Sequence, residues 1–282
     1  MESQRLSKQL AIILLVLFAN PVFGTDNVYT FGVLNQRNPV ATAEYWNPIL
    51  DYVSKKSGVT LQLKMGKTVQ ETDRMTEQGE FDFVFSNHIF IPRISKAGYR
   101  VIARPVEESI QGQIVVLTDT PIRILEDLAG RVVAFPSETA FVGYAVTMDA
   151  LTRKGIQVNP VFAGNQEGAM GQLKAGKVQA ASVNSQVMQE YALREQVNYR
   201  VLWSSPKFAG MPVAANRRVT KKEIKAVRDA LVNMASDPEG MKVIAASAVA
   251  IKQKAAFGFV AADERDYENQ KEFYATTVLK GF

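Results

Sequence analysis

The chain has no cysteine and a single histidine, His88. Without thiols there is no disulfide, no zinc–thiolate site, no cysteine nucleophile and no lipid-modified N-terminal cysteine. With one imidazole, a transition-metal site would have to rest on carboxylates, and no spaced cluster of them occurs in the sequence. The common catalytic and nucleotide-binding signatures are missing as well. Ser137 does not stand in a G-x-S-x-G elbow, and there is neither a Walker-type loop nor G-x-G-x-x-G. Strong charge is also lacking: the formal net charge is +5 over 282 residues, and the basic residues are scattered. Their densest group, Arg217, Arg218, Lys221 and Lys222, falls where a solvated helix start is expected. No nucleic-acid face is read from it. These absences argue against an enzyme and against any cofactor.

Long apolar runs are absent after residue 23. Before it, residues 1–9 are polar, with Arg5 and Lys8 against Glu2, and residues 10–19 (LAIILLVLFA) carry no charge. Val22-Phe23-Gly24 then offers small residues at the two positions a signal peptidase inspects. This three-part pattern predicts a secretory signal peptide over 1–24 and a mature chain of 25–282 in the periplasm. The competing reading is an uncleaved anchor, but the run falls short of the roughly 20 residues of a membrane span.

Strand and helix signals alternate through the mature chain. Apolar, β-branched runs at 28–34, 59–65, 81–85 and 99–103 are separated by helical stretches, a βαβαβ order that predicts a parallel α/β sheet. Pro48 suits a helix start better than a helix interior, which places the regular helix at 48–56 with Asn47 as cap. The alternation restarts with strands at 113–117, 131–135, 158–162, 178–183 and 199–203, and a helix over 139–154. The tail reads as helices. Thr220 and Glu223 form a capping box, Asp237-Pro238 opens a second helix, and Asp263 opens a third. Two α/β units followed by helices predict two lobes: 25–110 with 213–282, and 111–212. Gly112, Gly210 and Pro212 fall at or near the two crossings.

Four places in this order are similar to the phosphate/phosphite/phosphonate-binding family, the periplasmic components of phosphonate-type ABC importers. They are 48–53 (PILDYV), 79–85 (GEFDFVF), 121–140 (PIRILEDLAGRVVAFPSETA), and Gly258-Phe259-Val260 with Asp266-Tyr267. The resemblance covers nearly the whole mature chain. It implies the type II periplasmic-binding-protein fold: two lobes, each a mostly parallel sheet flanked by helices, two hinge crossings and a ligand in the cleft.

Ligands in such lobes collect beyond the carboxyl ends of the strands. Ser137, Glu138 and Thr139 lie between a strand and a helix, where free amides and a positive dipole favour an oxyanion. Capping alone is the plainer use of Ser137 or Thr139; the resemblance favours binding. Glu138 departs from the family's small hydroxyl residues and would repel an anion unless it points outward or meets a cationic part of the ligand. Ser86 and Asn87 stand in the second loop, followed by His88, read as a cap or packed side chain. Asn35 and Arg37 stand in the third, where Arg37 offers bidentate pairing. Gln166 occupies a place where the family often has histidine, and Asn184 one where it often has aspartate. Neutral amides at both point away from amine-bearing phosphonates and toward a simple oxyanion or an uncommon ligand.

The expected function is therefore capture of a small phosphonate-, phosphite- or phosphate-like anion, by a monomer, for an inner-membrane ABC permease. The alternative is a sensor that presents its bound state to a membrane kinase or cyclase.

Overall fold

The computed structural model describes residues 27–106, 109–253, 256 and 258–281. The signal segment expected over 1–24 lies outside the described residues. In chain order the first lobe begins β1 (Tyr29–Val33), α1 (Pro39–Ser57), β2 (Leu61–Lys64), α2 (Val69–Glu77), β3 (Phe83–Phe85), α3 (Pro92–Ser95) and β4 (Tyr99–Pro105). The second contains β5 (Gly112–Leu117), β6 (Val132–Phe135), α4 (Val146–Arg153), β7 (Asn159–Phe162), α5 (Gln166–Lys174), β8 (Ala180–Asn184), α6 (Ser185–Glu195) and β9 (Tyr199–Ser204). The chain returns as β10 (Val213–Asn216), α7 (Lys221–Asn233), α8 (Pro238–Ala250), β11 (Phe259–Ala261) and α9 (Glu268–Thr276).

Two sheets result, ordered β11-β4-β10-β3-β1-β2 and β7-β6-β8-β5-β9. In the first, β1 to β4 share one direction while β10 and β11 oppose it; in the second, only β5 is reversed. The sheets are thus mostly parallel in strand direction, as expected. In the first sheet the returning strands β10 and β11 pair antiparallel, which puts strands from both ends of the chain in one sheet; in the second the reversed strand is β5, the first of its lobe.

The second sheet is covered on both faces, which explains its continuous apolar runs. Val115, Ala181 and Val183 face Met170, Leu173 and Met188, while the alternate residues Ile114, Val133 and Phe135 face Leu128 and Leu151. In the first lobe Phe31, Trp46, Leu50, Val53, Phe83, Val227 and Leu231 form one core. Each such side chain contributes about 1.5–3 kcal/mol on full burial.

Three expectations are corrected. Helix α1 does not begin at Pro48. Asn38 caps it by accepting from Ala41 N, Pro39 stands at its first position, and Pro48 lies inside. Pro48 leaves the Glu44 carbonyl without its helical donor, but Glu44 is exposed, so water can replace it. The helix expected from Thr139 begins at Phe141, with a π turn over Phe141–Ala145 that leads into α4. The tail is not purely helical, because β10 and β11 join the first sheet.

The chain passes between sheets after β4 and after β9. Ile110 and Phe208 exchange backbone bonds of 2.8 and 2.9 Å there. At Gly112 a Cβ would lie 2.2 Å from the Val142 carbonyl oxygen, so the backbones meet where only glycine fits. Helix α9 spans both lobes. Gln270 donates to the Asn87 carbonyl at 3.1 Å on the first, and Thr277 donates to Asp149 at 2.7 Å on the second.

Candidate functional site

A cavity of about 30 Å³ lies between the lobes, at the carboxyl ends of β1, β3, β6 and β8. It has room for roughly two water-sized groups, on a scale where one needs about 10–15 Å³. Its polar lining is Asn35, Gln36, Asn87, His88, Ser137, Asn165, Gln166 and Asn184, and Val69, Ile110, Pro136 and Phe141 supply apolar walls. No lysine, arginine, aspartate or glutamate lines it among the described residues.

The amides are fixed by the backbone at one end. Asn165 Oδ1 accepts from Gly168 N at 2.8 Å, Gln166 Oε1 from Asn184 N at 2.9 Å, and Asn184 Oδ1 from Gln186 N at 2.9 Å. Their oxygens are engaged, which leaves the NH₂ ends of these side chains as donors. Gln166 Nε2 lies over the π turn, so close that a Cβ on Gly143 would stand 2.8 Å from it. Asn35 is held more completely. It donates to the Gly66 carbonyl at 2.9 Å and accepts from Thr72 Oγ1 at 2.6 Å. Ser137 is buried at the mouth of the same turn, its Oγ 3.4 Å from Thr139 Oγ1.

Behind this wall stands a buried carboxylate. His88 Nδ1 donates to Asp73 Oδ1 at 2.7 Å, and Thr139 Oγ1 donates to Asp73 Oδ2 at 2.6 Å. Asp73 belongs to the first lobe and Thr139 to the second, so the bond crosses the cleft. Burial pushes the Asp73 carboxyl up, but the His88 imidazole and the Thr139 hydroxyl outweigh it and hold the group below its ordinary value. Ser86 Oγ accepts from the His88 backbone N at 3.1 Å and so caps the turn that carries the ring.

Asn35, Asn87, Ser137, Gln166 and Asn184 therefore converge on one cavity, and four other expected residues do not line it. Ser86 is occupied as a cap. Thr139 is turned to Asp73. Glu138 is exposed, the orientation its charge requires beside an anion. Arg37 lines an adjoining cavity of about 50 Å³, where its guanidinium meets Glu190 at 2.5 Å across the lobes. That cavity shares Gln36, Ile110 and Asn184 with the first and has Tyr45, Trp46 and Phe85 on its walls.

The sequence did not assign Gln36, Asn165 or Asp73 to the site, and it gave His88, which lines the cavity, only as a cap or packed side chain. Asp73 carried a usable signal: it stands four residues after the wall residue Val69, on the same helical face, where a carboxylate must find a partner.

Two α/β lobes with a polar cavity at their strand ends are the architecture of a substrate-binding protein. Residues 31–267 match the family described as "ABC transporter, phosphonate, periplasmic substrate-binding protein", and the chain belongs to that family. No curated protein matches it. Among solved structures, a binding-protein component of a phosphonate ABC transporter from Pseudomonas aeruginosa has a TM-score of 0.76 at 16% identity, covering 88% of this chain and 85% of that one. A Prochlorococcus marinus protein in complex with methylphosphonate has a TM-score of 0.74 at 16% identity, with 87% and 96% covered. A Xanthomonas citri protein bound to chloride has a TM-score of 0.67 at 16% identity, with 88% and 96% covered. At these identities the likeness is one of fold.

Proposed function

We propose that this protein captures a small phosphonate-class oxyanion in the cavity between Ser137, Asn184, Gln166, Asn35 and Asn87 and delivers it to an ABC permease. We further propose that residues 1–24 direct its export and that it works as a monomer. The observation that carries this reading is the lining itself: anchored amides and a hydroxyl at strand ends, with no fixed charge. Amide and hydroxyl donors suit an oxyanion because hydrogen bonds to an ionised acceptor are short and strong.

The same lining gives a preference. An ammonium on the ligand finds no carboxylate lining this cavity: Asp73 behind the wall is held by His88 and Thr139, and Glu190 in the adjoining cavity is held by Arg37. Methylphosphonate, phosphite and phosphate are expected to bind at least tenfold more tightly than aminoethylphosphonate.

Calorimetry and thermal shift on residues 25–282 test both statements, with sulfate and small organic acids as controls. A ligand that binds only the folded chain raises the melting temperature by mass action. Ser137→Ala is expected to weaken methylphosphonate about tenfold, through loss of roughly 1.5 kcal/mol. Binding of none of the phosphorus oxyanions would remove this ligand class.

A further inference from the structure

We infer that His88 is a ligand contact and specificity-determining residue of this cavity, whose Nε2 requires one proton between itself and the bound oxyanion, so that capture of a dianionic phosphonate takes up a proton. The inference rests on the reading that the cavity holds a phosphorus oxyanion.

His88 is 2% exposed and lines the cavity. Its Nδ1 is committed to Asp73, which leaves Nε2 as the free ring nitrogen. A neutral imidazole bonded this way presents a lone pair at Nε2. That lone pair repels a fully deprotonated oxygen and accepts from an oxygen that carries hydrogen. A protonated ring presents N–H and accepts nothing. Either way the contact holds one proton, and the two arrangements differ only in which side of the bond it sits on.

Charge leads to the same place. Asp73, also 2% exposed, sits directly behind His88 with no lysine or arginine bonded to it. The groups facing this pair are few. From the second lobe comes the Thr139 hydroxyl, with Glu138 turned to solvent. From α9 comes the buried Tyr274 phenol, which burial and the Asp73 charge both push toward its neutral form. From α3 comes Arg93, whose guanidinium is bonded to Glu77 at 2.5 Å. Arg37, next door, is neutralised by Glu190. A dianion entering a site already backed by a buried carboxylate meets neutral donors but no cation that is not already paired. One proton at His88 converts the Asp73 side of the site to a neutral ion pair with a donor aimed forward. A neutral cavity alone would give no reason for such coupling; the buried carboxylate behind the imidazole does.

The test exploits the chain's single histidine, whose ring nitrogens give unambiguous NMR signals. With methylphosphonate as probe, saturation is expected to move the Nε2 resonance toward the protonated or hydrogen-bonded position while Nδ1 stays a donor. Calorimetry at alkaline pH, in buffers of different ionisation enthalpy, is expected to show one proton taken up per ligand bound. The affinity should then fall about tenfold for each further pH unit. His88→Gln, whose amide can donate without titrating, is expected to bind with no proton uptake. Methanesulfonate, isosteric but without a titratable proton near neutrality, is expected to lose affinity with rising pH in the wild type and not in His88→Gln. Binding with an unmoved Nε2 signal and no proton uptake overturns the inference and leaves the proposed function standing. Uptake that persists in a folded His88→Gln overturns it also, by placing the proton elsewhere. Failure of methylphosphonate, phosphite and phosphate to bind at all overturns the proposed function itself, and this inference with it.

Discussion

Thr139 shows how a single hydroxyl can matter to a ligand it does not line. Its Oγ1 crosses the cleft to Asp73 at 2.6 Å, so the bond exists only while the lobes are together. A bond to a charged acceptor contributes roughly 1.5–3 kcal/mol, and the isosteric Thr139→Val removes it without opening a cavity. Because the lost partner is protein, every ligand should weaken by the same factor, roughly tenfold to a hundredfold. Titrations with methylphosphonate and phosphate check this; unequal losses would assign Thr139 to the ligand directly. The bond also has an acid limit. The Asp73 carboxyl is depressed, so its contribution is present above the ordinary carboxylate range and is lost as pH falls through the lower folded value.

At this scale the sequence was informative about polar residues at strand ends and silent about their pairing. Ser137, Asn184, Gln166, Asn35 and Asn87 follow strands whose apolar runs are plain, so their loops could be placed. Asp73 with His88, and Arg37 with Glu190, are distant in sequence and meet only through tertiary packing. A one-dimensional pattern can mark Asp73 as needing a partner but cannot say which residue supplies it, and Arg37 accordingly looked free.

Among the elements, the helix termini were the most readable, because caps are local chemistry. Thr220 with Glu223 forms the capping box that its spacing announces, and Asp237 accepts from Glu239 N at the head of α8. The short returning strands were not readable. VAAN in β10 and FVA in β11 are strands because the first sheet offers them partners, not because their residues demand it. Pro48 misled for the opposite reason: a local penalty of about 3 kcal/mol is outweighed by the buried row of Trp46, Ile49, Leu50 and Val53.

The head of α8 carries a prediction of its own. Asp237 accepts from Tyr52 at 2.7 Å and pairs with Lys56 at 2.6 Å, tying α8 to α1. Bonds from Lys56 and Tyr52 lower its carboxyl from 3.8 to about 2. A depressed carboxyl stabilises the fold above its unfolded value and loses that contribution as pH falls through the folded one. The melting temperature should therefore drop as pH goes from about 4 to about 2, part of it through this residue. Asp237→Asn keeps a competent cap but cannot titrate. It should melt lower than the wild type at neutral pH, and the gap should close across that window. A gap that stays constant with pH would mean the carboxyl charge is not what ties the helices.

At the scale of the whole molecule, function is a balance between lobes together and lobes apart, and a few side chains set it. Arg37 with Glu190, Thr139 with Asp73, and the α9 strap through Asp149 all span the cleft without help from a ligand. The ion pair is the most deeply placed charged example, with side chains 19% and 10% exposed. It acts twice. It holds the lobes together, and it keeps the Arg37 charge out of the cavity beside it. Glu190→Gln separates these roles. Losing the charge-assisted bond should favour the open form, and a ligand that binds the closed form must then spend part of its affinity on closing it. Ligand-free protein should show a larger radius of gyration by small-angle scattering, and a monoanion such as methanesulfonate should weaken roughly tenfold. The freed guanidinium pulls the other way for dianions, so phosphate should weaken less than methanesulfonate does. An unchanged radius with unchanged affinities would mean that the pair merely decorates a cleft held shut by α9 and the hinge. Dianion affinity that rises while the radius grows would show that the main effect of Glu190 is to mask Arg37, making it a selectivity element first and a latch second.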